Sequence, residues 1–285
     1  MKRVIINADD FGLTSGINKG IILAHQKGIL TSTTLMANMP GFSQAVKLAK
    51  KNKSLGVGIH LNIIRGEPIS SPQKVPSLLN NHGHFLTTSQ FLKKIVLRKI
   101  ILIEIEYEFR AQIEKVLGKG IHITHFDSEK HIHSIPQIMQ IVTKLAIEYR
   151  IPRIRFINEF CLSSNITQSF KSILVSFLNS RKKKDLINSG ILIPDKFYGI
   201  CKSGQMNKKR FKIIFSKLNE GITEIMTHPG IVDKELNEIE QKYGPFYLRK
   251  GREKELETLL DQELKKIIKK ENIQLIHFGH IRGNQ

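Results

Sequence analysis

Cysteine is scarce in this chain: Cys161 and Cys201 stand 40 residues apart, outside any Cys-x-x-Cys spacing. That argues against a disulfide framework and against a thiolate zinc site, and leaves a buried or idle thiol as the expected role of each. Long apolar runs are also missing. The start, MKRVIINADDFG, offers three consecutive apolar residues after its basic pair, too few for a signal-peptide core or a membrane span, so a cytoplasmic protein is expected. Proline is limited to nine residues and apolar types make up 40% of the chain, a balance that excludes a disordered or fibrous polymer.

Acidic residues are the other shortage. Against 45 Lys+Arg there are 25 Asp+Glu, a net charge of +20 that favours polyanions, acidic substrates or an anionic membrane surface. Much of the excess lies in KLAKKNK (47–53), RKKKD (181–185), NKKRFKIIFSK (207–217) and KKIIKKE (265–271). In most of these runs basic and apolar residues interleave, as on solvated helix faces. No recognisable nucleic-acid motif or zinc finger accompanies them, so no specific nucleic-acid partner is expected.

What the chain does contain is an alternation. Apolar, β-rich runs recur at RVIINA (3–8), GVGIHLNI (56–63), GIHITHFDS (120–128), RIRFIN (153–158), TEIMTH (223–228) and IQLIHFG (273–279). Amphipathic stretches separate them at 17–28, 42–52, about 89–117, 136–149 and 252–270. Such alternation predicts βαβ units with a parallel sheet, in one domain spanning residues 1–285. The regions from about Pro68 to Thr88 and from Asn165 to Gln205 read as insertions able to cover a site. Chemistry in these folds gathers at the carboxyl ends of the strands, and here the ends read NADD, HLN, HFDSE, MTHP and HFGH. Six or more strands with convergent polar ends favour a barrel over a doubly wound sheet.

Asp9 and Asp10 follow the first strand. Adjacent side chains on an extended segment point to opposite sides, so one can meet a metal while the other faces away, unless the turn rotates both inward. The plain alternative is that one of them caps the helix beginning near Ser15. His60, in a run with glycine at 56 and 58, is either a hydrogen-bonded core residue or a ligand. In HFDSEKHIH (125–133), an extended course would put Ile121, Ile123, His125, Asp127 and Glu129 on one face. Imidazole and carboxylate are ligands for zinc and, with more oxygen donors, for harder divalent ions. No His-Glu-x-x-His spacing occurs, so ligands must converge from separate strands. The alternative is a polar loop with a histidine pair at His131 and His133. His228 precedes Pro229, which disfavours helical geometry there; it can donate a proton to a leaving group or simply hydrogen-bond in a turn. His277 and His280 are weaker candidates.

Taken in order, NADDFGLTSGINKGI and GILTSTTLMAN (7–38), GVGIHLNI (56–63), THFDSEKHIH (124–133), FYG (197–199), MTHPGIVD (226–233) and REKELETL (252–259) resemble the YdjC-like family of carbohydrate deacetylases. That family includes chitooligosaccharide and hopanoid-biosynthesis-associated deacetylases. The resemblance implies an α/β fold, an incomplete or distorted (β/α) TIM-like barrel of the glycoside hydrolase/deacetylase type. It implies one divalent metal ion, Mg²⁺ or Zn²⁺, held by an aspartate and two histidines. Asp10 and His60 match the first two ligands and Asp9 the base. The third ligand of the family is the first histidine of Ser-His-x-His-x-His, and in this chain that position is Glu129. Three outcomes stand open: Glu129 binds the metal, one of His125, His131 and His133 substitutes, or the site is degraded. Asp127 and Arg252 stand either as substitute ligands or as residues behind the ligands, Arg252 orienting Asp9 or a histidine.

The activity implied is hydrolysis of an N-acetyl group from an amino sugar or an N-acetylated oligosaccharide or glycoconjugate, with His228 protonating the departing nitrogen. The alternatives are a noncatalytic saccharide-binding protein and a metal-dependent phosphoesterase. Expected partners are the N-acetylated saccharide and, by charge, an anionic membrane or lipid-linked sugar, with a homodimer as a candidate assembly.

Overall fold

The computed structural model describes residues 1–159, 166–244 and 249–283. Seven strands lie in one sheet: β1 (Lys2–Phe11), β2 (Ser32–Leu35), β3 (Gly56–Leu61), β4 (Ile123–Ser128), β5 (Lys196–Tyr198), β6 (Gly221–Thr227) and β7 (Gln274–Leu275). Their order is β4-β3-β2-β1-β6-β5, with β7 also on β1, and every pairing is parallel. Beyond β4 the sheet continues through single parallel bridges, Phe126 to Ile154 and Arg153 to Leu192, so it curls toward the segment that leads into β5. The result is an incomplete, distorted α/β barrel: the strand and helix pattern predicts a barrel, and the family resemblance its incompleteness.

Parallel strands need crossovers, and the helices supply them. Ser15–Lys27 starts at Thr14, whose side chain accepts from Ile17 N, so Thr14 rather than Asp9 or Asp10 is the cap. Phe42–Lys51 buries Phe42, Ala45, Val46 and Ala49, one helical stripe against the sheet. Leu102–Leu117 and Pro136–Glu148 flank β4 in the chain. One apolar cluster takes residues from β1, β2, β3, β4 and these helices together. Among the described residues no helix is long and apolar enough to cross a membrane.

Several elements differ from their sequence reading. The stretch 89–117 forms two helices, Thr88–Val96 and Leu102–Leu117, separated where Arg98 takes a left-handed φ of 55°. The stretch 252–270 likewise divides into Arg249–Leu260 and Gln262–Lys270, because Asp261 caps the second by accepting from Glu263 N. β2 escaped notice because three of its four residues are hydroxylic. Those hydroxyls are satisfied inside: Thr33 Oγ1 donates to the Ala8 carbonyl at 2.7 Å. The helix Ile166–Asn188 occupies much of the expected insertion, whose first residue, Asn165, lies outside the described residues. Of IQLIHFG only Gln274–Leu275 joins the ladder. Cys201 is buried and disulfide-bonded, not an idle thiol, and Cys161 lies outside the described residues.

Gly58 shows how tightly the barrel interior is filled. A Cβ there would collide with the His125 ring and come within 2.7 Å of the His125 carbonyl oxygen. The ring cannot retreat, because it lies flat on Phe278 at 3.7 Å and 8°. Gly58→Ala is therefore expected to lower unfolding stability by about 1–3 kcal/mol, read from denaturant midpoints. An unchanged midpoint would contradict this packing.

Candidate functional site

The end of β1 brings both aspartates to one place. The ladder with β2 shifts register between Ala8 and Phe11, and Asp10 adopts φ 69°. A left-handed residue at a bulge turns its side chain away from strict alternation, so Asp9 and Asp10 both enter the interior, 2% and 3% exposed. Asp10 Oδ1 lies 3.9 Å from His60 Nε2. Asp10 Oδ2 accepts from Arg252 Nη2.

β3 and β4 run side by side with His60 opposite Asp127. His60 Nδ1 meets Asp127 Oδ1 at 2.8 Å and also contacts Thr34 Oγ1 of β2 at 3.2 Å. Its other nitrogen, Nε2, is 3.3 Å from Glu129 Oε2. β4 ends at Ser128, and the chain then bends sharply, with left-handed φ at Lys130 (52°) and His131 (61°). This bend directs Glu129 back over His60. Burial alone would lower the His60 pKa, but Asp127, Glu129 and Asp9 outweigh it and hold it well above the usual imidazole value. Burial would raise Glu129, yet Lys130, His60 and Arg65 together hold it well below the usual carboxylate range. Arg65 Nη2 stands 3.4 Å and Lys130 Nζ 3.7 Å from Glu129 Oε1.

At the centre is a residue the sequence reading passed over. Arg155, 0% exposed, donates to both oxygens of Asp9 at 2.8 and 2.7 Å and to Glu224 Oε1 at 2.7 Å, and its Nη1 is 2.6 Å from Asp127 Oδ2. Burial would raise Asp9, but the guanidinium more than reverses this and keeps the carboxylate ionised. Burial pushes Glu224 up to about 8 against the pull of Arg155. The signal was an arginine in the apolar alternation of RIRFIN and a glutamate in TEIMTH, charges that need buried partners.

His228 leaves the end of β6, with its Nε2 3.9 Å from Asp9 Oδ2 and its backbone N–H donating to Glu255 Oε2 at 2.6 Å. Burial pushes its pKa down to about 4 despite Asp9 and Asp10, so the ring is neutral at pH 7. Glu255, itself pushed up to about 7 by burial, also accepts from Met206 N. Arg252 contacts Asp10, whereas the sequence reading placed it beside Asp9 or a histidine.

Not every candidate joins the cluster. His125 is pressed between Gly58 and Phe278. His133 Nδ1 contacts Ser128 Oγ at 2.6 Å, and His131 packs edge-on against His133 and Phe197. Two sets of donors able to hold a metal ion emerge among the described residues, Asp9–His60–Asp127 and Asp10–His60–Glu129, with donor atoms within 4.8 Å of one another. They share His60, whose Nδ1 meets Asp127 and whose Nε2 faces Asp10 and Glu129. His277 and His280 stack on each other, centroids 3.8 Å apart, and enter neither set.

The YdjC-like protein family matches residues 3–270. The chain belongs to that family. It is 37% identical over 280 residues to a carbohydrate deacetylase of Brevibacillus brevis, covering 98% of this chain and 99% of that protein. It is 36% identical over 279 residues to a carbohydrate deacetylase of Clostridium beijerinckii, covering 98% and 100%. Among solved structures, an Enterococcus faecalis V583 protein provisionally described as a cellobiose-phosphate cleavage protein superposes with TM-score 0.76 at 28% identity, covering 97% of each chain.

Two outcomes follow for this YdjC-like site. Arg155→Met strands the Asp9 carboxylate and leaves the buried carboxyl groups of Asp127 and Glu224 without their shared donor, and should cost about 3–5 kcal/mol of stability, read by denaturant unfolding; a loss too small to measure would contradict the central ion cluster. Both candidate donor sets include His60, whose neighbours favour its protonated form, so a metal ion taken up by either set would displace a proton, and uptake at pH 7 should release about one. Titration calorimetry in buffers of different ionisation enthalpy reads that number, and uptake with no release would contradict the His60 assignment.

Proposed function

We propose that this protein is a metal-dependent hydrolase that removes an N-acetyl group from an amino sugar or an N-acetylated oligosaccharide, and that Asp10, His60 and Glu129 hold the metal. The observation that carries the reading is the division of labour at His60. Asp127 occupies Nδ1, which leaves Nε2 for a ligand role beside Asp10 and Glu129. In the competing set both oxygens of Asp9 are engaged by Arg155, and Asp127 is engaged by His60 and Arg155. A carboxylate on the far nitrogen of a ligand histidine fixes its tautomer and raises its basicity, which is the role Asp127 fills.

The donor set fits a divalent cation. Nε2 lies 3.3 Å from Glu129 and 3.9 Å from Asp10, spacings compatible with a shared ion bonded at about 2.0–2.2 Å. Two carboxylates to one imidazole favour a hard ion such as Mg²⁺ and leave Zn²⁺ open. A cation held there supplies Lewis acidity toward an acetyl carbonyl and lowers the pKa of a coordinated water.

The remaining steps belong to the protein. Asp9, fixed and ionised by Arg155, orients the attacking water and accepts its proton as oxygen adds to the acetyl carbon. A carboxylate so tightly clamped is a weak base, so the proton passes on to the neutral His228 ring, 3.9 Å away. His228 then delivers it to the nitrogen as the C–N bond breaks, giving acetate and a free amine. The names of the relatives, carbohydrate deacetylases, support this choice over phosphoester cleavage.

The test combines acetate release from N-acetylated saccharides with metal content, on protein stripped and reloaded with single ions. Asp9→Asn should keep metal and lose at least about a hundredfold in turnover, whereas His60→Ala and Glu129→Ala should lose metal. Glu129→His should keep both metal and activity. Equal metal content in all four variants would overturn the assignment, and phosphate release in place of acetate would overturn the reaction class.

A further inference from the structure

Sixteen large apolar side chains are exposed among the described residues, and six of them fall within twelve positions: Leu92, Val96, Leu97, Ile101, Leu102 and Ile103. Single exposed apolar residues are ordinary; a contiguous run is not. Val96 is 79% exposed.

The run is firmly supported. Thr87 closes a capping box with Gln90 at the start of Thr88–Val96, Phe91 and Ile100 are buried, and Ile101 N donates to Ser77 Oγ at 3.0 Å. The fold therefore holds these apolar side chains outward on fixed backbone.

Charge indicates the partner. Lys93, Arg98 and Lys99 are exposed among the apolar residues, and Lys94 Nζ rests on the Ser77 carbonyl; none of the four pairs with a carboxylate among the described residues. The nearby acids are turned inward. Glu104 accepts from Ser77 N, Glu106 takes Arg110 and Lys144, and Glu108 accepts from Ile69 N and Ser70 N. Apolar side chains interleaved with unpaired cations form a surface suited to headgroups and acyl chains of an anionic bilayer. A second copy of the same patch would bring like charges together.

We infer that the edge from Leu92 to Ile103 docks this protein onto an anionic lipid surface. Its link to the site is mechanical: in Leu102–Leu117, Gln112 Oε1 accepts from Asn62 N, in the loop whose Arg65 reaches Glu129. The docking inference stands independently of the proposed hydrolysis.

The test is co-sedimentation of the full chain with phosphatidylcholine vesicles, with and without phosphatidylglycerol. Binding is expected only when phosphatidylglycerol is present. The triple variants Lys93→Glu/Arg98→Glu/Lys99→Glu and Val96→Ser/Leu97→Ser/Ile101→Ser should each weaken it about tenfold or more. Reversal of a remote exposed trio, Lys266→Glu/Lys269→Glu/Lys270→Glu, should change it little. Thermal melts check folding, and an environment-sensitive dye on Val96→Cys should shift to the blue with the anionic vesicles alone. Absence of vesicle binding, equal losses from the remote trio, or a dimer in light scattering that the serine variant turns into monomer would each overturn the inference.

Discussion

A guanidinium with no exposed surface has to be surrounded by acceptors, because arginine cannot shed its charge to escape burial. Arg155 meets that demand with three carboxylates from three strands: Asp9 of β1, Asp127 of β4 and Glu224 of β6. The requirement ties the curled sheet together across its interior. It also fixes the division of roles around His60. With Asp9 and Asp127 committed to Arg155, and Asp127 also to His60 Nδ1, the donors left facing Nε2 are Asp10 and Glu129.

Glu129 adds a negative charge to an already acidic cluster. The protein meets it locally, with Arg65 and Lys130 on one oxygen of Glu129 and His60 on the other. Such compensation lets a buried carboxylate stay ionised. It also makes the loop carrying Arg65 part of the electrostatics of the cluster.

The barrel was legible because its cause is periodic: apolar runs separated by amphipathic stretches, with polar residues where the strands stop. β2 was not, since Ser32, Thr33 and Thr34 conceal a buried strand whose hydroxyls are satisfied by β3, β1 and, across the interior, Asp127 of β4. Both helix breaks, at Arg98 and Asp261, depend on single residues that leave helical amphipathicity intact on either side. At the site, Asp9, Asp10, His60, Asp127 and Glu129 could be chosen from strand ends, but the rotation that gathers both aspartates rests on one backbone angle at Asp10. Arg155 and Glu224 were overlooked because each looks, in sequence, like one polar residue in an alternating strand. Only the curl of the sheet reveals that they meet.

The most direct test of this account is the position of the ion itself. Anomalous diffraction from crystals loaded with Mn²⁺ should give one peak bounded by Asp10, His60 Nε2 and Glu129, with Arg155 still bridging Asp9 and Asp127. A peak between Asp9 and Asp127 with Arg155 displaced, or one held by His131 or His133, would contradict it.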